Sequence, residues 1–326
     1  MLSITACWIL LSPVQYGHNA KFKFDEKLKL YTTQAGKPII WLFWDSLSPP
    51  EHIQLAIETI KCHNIPLLEI ILMNETFVRQ EMDLPYEYQY LIPQHKADYI
   101  RCSILLKYGG MWMDADTIQW NSVHPLFQYL SSYDLYGYSW MDETVGITII
   151  GPIRAQSPLL IGWKHEVKRR LRRLFGTNWF SRKRHGNYPV GWGELLRDVL
   201  NKIIREIVNN TITYYHVEGV STYGDLFMLD IHNYLWGELT PKVNASISRI
   251  KNLAPLLIYH HSQANKTIDL RDPTDPNKLN PDMVFNELIR KSFERCVNNR
   301  SKSTTMSMLE VELPLAKKFG LLKPNE

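Results

Sequence analysis

Asp114 and Asp116 flank a single alanine at the end of an apolar stretch, Met111 to Met113. In an extended chain, residues two apart point the same way. A turn would splay them but keep both carboxylates within reach of one small volume. Two carboxylates that close repel each other unless a cation lies between them. Magnesium or manganese, which take carboxylate and phosphate oxygens, meet that need. Upstream, Asp98 and Arg101 lie three apart on a predicted helix and share a face. Taken singly, an Asp-x-Asp triplet is more often a solvated turn, and such an Asp/Arg pair more often a surface ion pair worth little. Their succession gives them weight, because the helix runs through Gly109-Gly110 straight into the acidic strand. That order lets the polar face of the helix look into the cleft that holds the two aspartates.

The elements that must position these residues are legible from pattern. Ile39 to Trp44 is a continuous apolar run of strand length, followed by Pro49-Pro50 and a helical pattern through Ile53, Ala56, Ile57 and Ile60. Pro66 ends that helix, and Leu68 to Met73 reads as a second buried strand. Strand, helix and strand with short connections begin a parallel sheet. Gln94 to Tyr108 is helical and stops at the paired glycines. Leu135 to Trp140, Gly146 to Ile150, Ile212 to Val217 and Leu256 to His260 read as strands; Leu159 to Phe175 and Glu194 to Val208 read as helices. The carboxyl ends of strands in such open sheets are where ligands bind. After Ser262 the chain turns polar and proline-bearing before a last helix from about Met283 to Val297. The expected organisation is therefore a catalytic domain over 1–265, then a linker and helical extension over 266–326.

Composition bounds the rest. The 326 residues carry a net charge of +4 and a pI near 8.7, well short of a nucleic-acid-binding signature, and no nucleic acid is expected as a partner. The basic residues cluster in Lys164–Arg184, which includes Arg169-Arg170 and Arg182-Lys183-Arg184. A solvated helix face is the plainer reading, and peripheral contact with an anionic membrane the functional one. Gly191-Trp192-Gly193-Glu194 opens a predicted helix, whose amides would suit an anion, a diphosphate or the acceptor; Glu194 is equally a first-turn carboxylate favoured by the helix dipole. Cys7, Cys62, Cys102 and Cys296 lie far apart with no metal-ligand spacing. The expectation is a reducing, cytoplasmic setting, with the protein at most peripheral to a membrane. Ile4 to Leu11 is apolar but lacks a preceding basic residue, which favours a buried element over a cleaved signal. Five Asn-x-Ser/Thr sequons, at Asn74, Asn209, Asn244, Asn265 and Asn299, are frequent enough by chance to leave that reading open.

The stretch HKADYIRCSILLKYGGMWMDADT resembles the signature of the DXD-containing sugar-binding glycosyltransferases, and more closely the capsular polysaccharide synthesis proteins. The opening KPIIWLFWDSLSPP is similar to the first strand of that family, and a more distant likeness extends to the large glucosylating bacterial toxins. The resemblance covers about Lys37 to Thr117 well and the remainder loosely. It implies an α/β fold of the GT-A type, a Rossmann-like mixed sheet flanked by helices, here with a small C-terminal helical appendage. It also implies transfer of a sugar from a nucleotide-sugar donor to a glycan or other hydroxyl acceptor, with retention of configuration and with manganese or magnesium as cofactor. In that scheme Asp116 coordinates the metal and Asp114 the ribose or the metal shell, while Asp98 and Arg101 bind donor-sugar hydroxyls. Trp44, beside Phe43, would meet the nucleotide base, and His260 or His261 would complete the metal site from a later strand.

Two rivals belong to other classes. A haloacid-dehalogenase-like phosphatase also places Asp-x-Asp after an apolar strand, but asks for Thr or Val two residues past the second Asp, where this chain has Ile118 and has Thr117 one place early. The second is a non-catalytic sugar-nucleotide-binding protein that has the same fold, and the intact set of Asp98, Arg101, Asp114 and Asp116 argues against a decayed site.

Overall fold

The computed structural model describes residues 22–46, 48–138, 149–176, 190–191, 193–208, 220–223, 227–228, 256–258 and 281–301. A short hairpin, β1 (Lys23–Asp25) and β2 (Leu30–Thr32), precedes the sheet. Then come β3 (Ile39–Phe43), α1 (Glu51–Asn64), β4 (Glu69–Met73), α2 (Glu75–Glu81), α3 (Pro93–Tyr108) and β5 (Gly110–Met113). They are followed by β6 (Ile118–Gln119), β7 (Leu135–Tyr138), β8 (Ile149–Ile153), α4 (Pro158–Leu174) and α5 (Arg197–Val208). Three short strands, β9 (Val220–Tyr223), β10 (Phe227–Met228) and β11 (Leu256–Ile258), lead to the C-terminal helix α6 (Pro281–Ser301).

Among the described residues six strands form the main sheet, in the order β4-β3-β5-β8-β7-β9. β4, β3 and β5 are parallel, β8 is antiparallel to both of its neighbours, and β7 and β9 are parallel to each other. This is the mixed α/β sheet flanked by helices that the sequence implies. The two-residue period of β3 explains its continuous apolar run: Ile39, Trp41 and Phe43 enter one core, and Ile40 and Leu42 the other. On the first face lie Ile100 and Ile104 of α3, Leu159 and Trp163 of α4, and Val199 of α5. On the second lie Ile53, Ile57 and Ile60 of α1. Each such buried aliphatic side chain stabilises the fold by about 1.5–3 kcal/mol relative to exposure. A strand covered on both faces has no need of polar positions.

The C-terminal helix is held against the body. Ile289, Ser292, Phe293 and Cys296, at helical spacing, form its buried stripe. Cys296 is disulfide-bonded to Cys62 of α1, with Cα atoms 6.1 Å apart. His63 Nε2 lies 3.2 Å from Ser292 Oγ, which donates to the carbonyl of Gln119. The expectation of uniformly reduced cysteines is thereby corrected: Cys62 and Cys296 are bonded, Cys102 is free and buried, and Cys7 lies outside the described residues. Pairing across 234 positions is set by packing of α6 on α1, which spacing in the chain cannot reveal. Among the described residues no helix is long and apolar enough to cross a membrane. The apolar N-terminal run and the strand expected at Ile212 to Val217 also lie outside them.

Candidate active site

Paired glycines bring the acidic residues to the sheet. Gly109 ends α3 at φ 69° and Gly110 opens β5 at φ 96°, both in the region that glycine enters without steric cost. A Cβ at Gly110 would sit 2.6 Å from the Ile39 carbonyl oxygen, and one at Gly109 2.7 Å from the Ala155 nitrogen. Only a chain without side chains there can swing from helix to strand so close to β3 and to the segment after β8. Trp41 closes the junction by donating its indole N–H to the Gly109 carbonyl at 2.8 Å. Trp41 is fully buried, as its place in β3 predicts.

Past Met113 the chain turns: Thr117 N donates to the Asp114 carbonyl at 3.1 Å. Of the two backbone geometries open from sequence, the turn is the one adopted. Asp114 and Asp116 are both half-buried, and Ala115 between them is packed into the core. Arg101 reaches Asp114 from α3, its Nη2 donating to Oδ1 at 3.1 Å, and lies 3.6 Å from Asp98 Oδ1. The structure therefore brings Asp98, Arg101 and Asp114 together as the helix-to-strand order implies. Asp98 and Arg101 are almost wholly buried, so the pair is no surface salt bridge. Burial pushes the Asp98 carboxyl up to about 7; Arg101 pulls it back and Asp114 adds to the rise.

Sequence reasoning passed over Trp112. Its indole N–H donates to Asp114 Oδ1 at 2.8 Å, and the Arg101 guanidinium carbon lies 4.9 Å from its ring centroid. The signal was available, since residues 112 and 114 share the parity of a strand that runs into the acidic turn. His95, one turn before Asp98, was also passed over. It is buried, and burial lowers its pKa against the pull of Glu194 and a hydrogen bond with the Gly191 backbone.

Other expected residues are placed differently. Phe43 is 7 % exposed and belongs to the core. Trp44, the other residue expected to meet the nucleotide base, is partly exposed at the end of β3. α5 begins at Arg197 and not at Glu194. Gly193, at φ 80°, opens a tight turn whose carbonyl accepts from Leu196 and Asp198. Glu194 Oε2 accepts from the Gly191 amide at 3.0 Å, so that amide is already engaged by a carboxylate of its own chain, and Glu194 Oε1 lies 3.4 Å from Arg173. Trp192, His260 and His261 lie outside the described residues. β11 pairs antiparallel with β6 (Leu257 opposite Ile118) and so runs back toward the acidic turn before it ends at Ile258.

The basic helix α4 is largely paired within the chain. Glu166 accepts from Arg169 at 2.6 and 2.7 Å and from Arg170 at 3.0 Å, and these two, Arg169 foremost, hold its carboxyl down at about 2. Lys168 lies 3.7 Å from Asp83. Lys164 donates to Ser103 Oγ and stands over the Tyr99 ring, with burial lowering its pKa to about 8.

Among the described residues no group of three His, Cys, Asp or Glu side chains gathers about one metal position. The donor chemistry of Asp114 and Asp116 nonetheless suits a hard cation, with carboxylate oxygens on a half-exposed turn at the end of a parallel strand.

Residues 12–148 match the profile of the family described as capsular polysaccharide synthesis protein. The match takes in β1 to β7 and with them Asp98, Arg101, Asp114 and Asp116, so the resemblance stated from sequence holds over this part of the chain. No curated protein matches. Among solved structures, the galactosyltransferase LgtC with donor and acceptor sugar analogs is 13% identical, covering 87% of this chain and 100% of its own, at a TM-score of 0.37. The PaToxG glycosyltransferase is 12% identical over 80% of this chain and 86% of its own, at 0.33. The apo glycosyltransferase GlyE of Streptococcus pneumoniae TIGR4 is 16% identical at 0.36; this chain is covered over 82%, and spans 63% of the GlyE chain.

Proposed function

We propose that this chain is a metal-dependent glycosyltransferase that moves a sugar from a nucleotide-sugar donor to a glycan or other hydroxyl acceptor. The observation that carries the reading is the convergence of Asp98, Arg101 and Asp114 beside Asp116 on one turn at the carboxyl end of β5, within the segment that matches the capsule-synthesis profile. Asp116 and Asp114 would hold manganese or magnesium, which when bound neutralises charge on a departing diphosphate. The chain's own groups do the rest. Arg101 ties the buried helix to the turn. Asp98, with its carboxyl raised to about 7, can both donate to and accept from a sugar hydroxyl near neutral pH. Trp44, partly exposed at the end of β3, would stack on the base. His260 or His261 would supply a further ligand, a role supported by the direction in which β11 runs. Retention of configuration is part of the same reading, with the acceptor attacking from the face the nucleotide leaves.

Peripheral contact with an anionic membrane through Lys164–Arg184 would have to draw on side chains beyond the internally paired ones of α4. The cytoplasmic placement rested on reduced cysteines, and the Cys62–Cys296 bond removes that basis.

Purified protein incubated with a panel of nucleotide sugars and manganese should release nucleoside diphosphate from at least one donor, and chelation should stop it. Release of inorganic phosphate from a phosphomonoester, with no donor turned over, would instead select the phosphatase. Tight donor binding without turnover would leave a binding protein.

A further inference from the structure

We propose that Trp112 is a positioning residue for the acidic turn: its indole N–H and the Arg101 guanidinium together fix Asp114 through Oδ1 in the attitude from which the turn receives a divalent cation. The inference rests on the metal-dependent reading above.

Asp114 is a short side chain on a half-exposed turn, free in principle to rotate about two torsions. Two donors from different elements converge on one of its oxygens, Trp112 from β5 at 2.8 Å and Arg101 from α3 at 3.1 Å. Both donors are themselves buried. Trp112 is 1 % exposed and Arg101 5 % exposed, and the guanidinium lies over the indole ring at 4.9 Å. The three groups thus form a closed triangle in which ring, cation and carboxylate each limit the other two.

The two donors differ in a way that matters for a cation. Arg101 brings a positive charge that opposes a metal ion nearby. Trp112 is neutral, so it orients the carboxylate and leaves its charge for the metal. Partners of this outer kind are worth about 10- to 100-fold in metal affinity or activity in other sites. The plainer alternative is a core tryptophan whose N–H has simply found an acceptor. It predicts that removing the N–H changes stability and nothing at the turn.

The test separates these by replacing Trp112 with 3-benzothienylalanine, which keeps the bicyclic shape but puts sulfur where the N–H was. The encoded variant Trp112→Phe is made in parallel; it leaves a ring under Arg101. Manganese binding is measured directly by electron paramagnetic resonance without donor, and the manganese dependence of donor hydrolysis is measured beside it. The expected result is manganese affinity weaker by about 10- to 100-fold in both variants. The metal-free melting temperature of the isosteric variant should stay near that of the wild type, and excess manganese should restore most of the turnover. Wild-type manganese affinity in a folded benzothienyl variant overturns the positioning role while leaving the glycosyltransferase reading in place. A wild-type protein that neither binds manganese nor hydrolyses any nucleotide sugar overturns both. Should the Phe variant fail to fold, the isosteric variant decides alone.

Discussion

The acidic turn after β5 and the basic helix α4 differ in how their charges are answered. Around the turn, two carboxylates, those of Asp98 and Asp114, share one guanidinium, and burial keeps Asp98 well above its ordinary range. Along α4, Arg169 and Arg170 share Glu166, Lys168 meets Asp83 and Arg173 meets Glu194. In sequence the basic run is the more conspicuous feature and the acidic triplet the more ordinary. In space the order reverses, because charges that answer one another have little left for a ligand, whereas carboxylates crowded at a strand end invite a cation. What marks the turn is like charge gathered about one buried guanidinium.

The largest effect should come from Asp116→Asn. The change removes a ligand charge from a half-exposed position, so the fold should persist while manganese-dependent donor turnover falls by more than about 100-fold. A folded mutant with manganese-dependent turnover near wild type would break the comparison at its stronger end.

Next is Cys296→Ser. Loss of a native disulfide typically costs about 2–5 kcal/mol, and here it also loosens α6, whose Ser292 holds the Gln119 carbonyl just beyond the acidic turn. Urea unfolding of wild type and mutant, with and without reductant, should show the loss. Reductant should affect the wild type alone. If both cysteines of the native protein react with an alkylating agent, the bond is not formed in solution.

These two expectations rest on features of unequal legibility. β3, α1, β4, α3 and β5 were readable to within about three residues, because each has a buried face whose period announces it. Asp98, Arg101, Asp114 and Asp116 were readable because helix, glycine pair and strand follow one another in the chain. The disulfide was not, since its two cysteines are 234 positions apart and are brought together only by the packing of α6 on α1. The start of α5 was misread because Gly193 and Glu194 look like a helix opening but serve a turn that caps the Gly191 amide. Trp112 was hidden by its apolar neighbours Met111 and Met113, and the inward parity of β3 carries to its last residue, Phe43.

A smaller effect concerns pH. Asp98 has a folded-state pKa of about 7 against an ordinary 3.8, so its neutral form is the one the fold prefers. The stability it contributes is fully present below about pH 3.8 and is lost as pH rises through about 7. Melts of metal-free protein should therefore show a decline over that window, on the order of a few kcal/mol, that Asp98→Asn flattens. The same mutant should turn over donor poorly at every pH. An unchanged slope in the mutant would mean that Arg101 fully compensates the buried carboxylate.

The smallest effect belongs to α4 and probes the other half of the comparison. Arg169 is held by both oxygens of Glu166, and Arg173 by Glu194. To reach an anionic bilayer either side chain must abandon its carboxylate, and the attraction of the lipid is then offset by the pair that is lost. Replacing Arg169 and Arg173 with Ser should leave co-sedimentation with anionic vesicles at low salt unchanged. It should leave donor hydrolysis unchanged too, because neither residue touches the acidic turn. Arg182→Ser with Arg184→Ser, in the part of the basic run beyond α4, is the matched pair. If that pair loses vesicle binding and the α4 pair does not, membrane contact is confined to charges outside the paired helix. Loss with Arg169→Ser and Arg173→Ser instead would mean that the pairs of α4 open at a membrane surface, and internal pairing would no longer distinguish a silent charge from a working one.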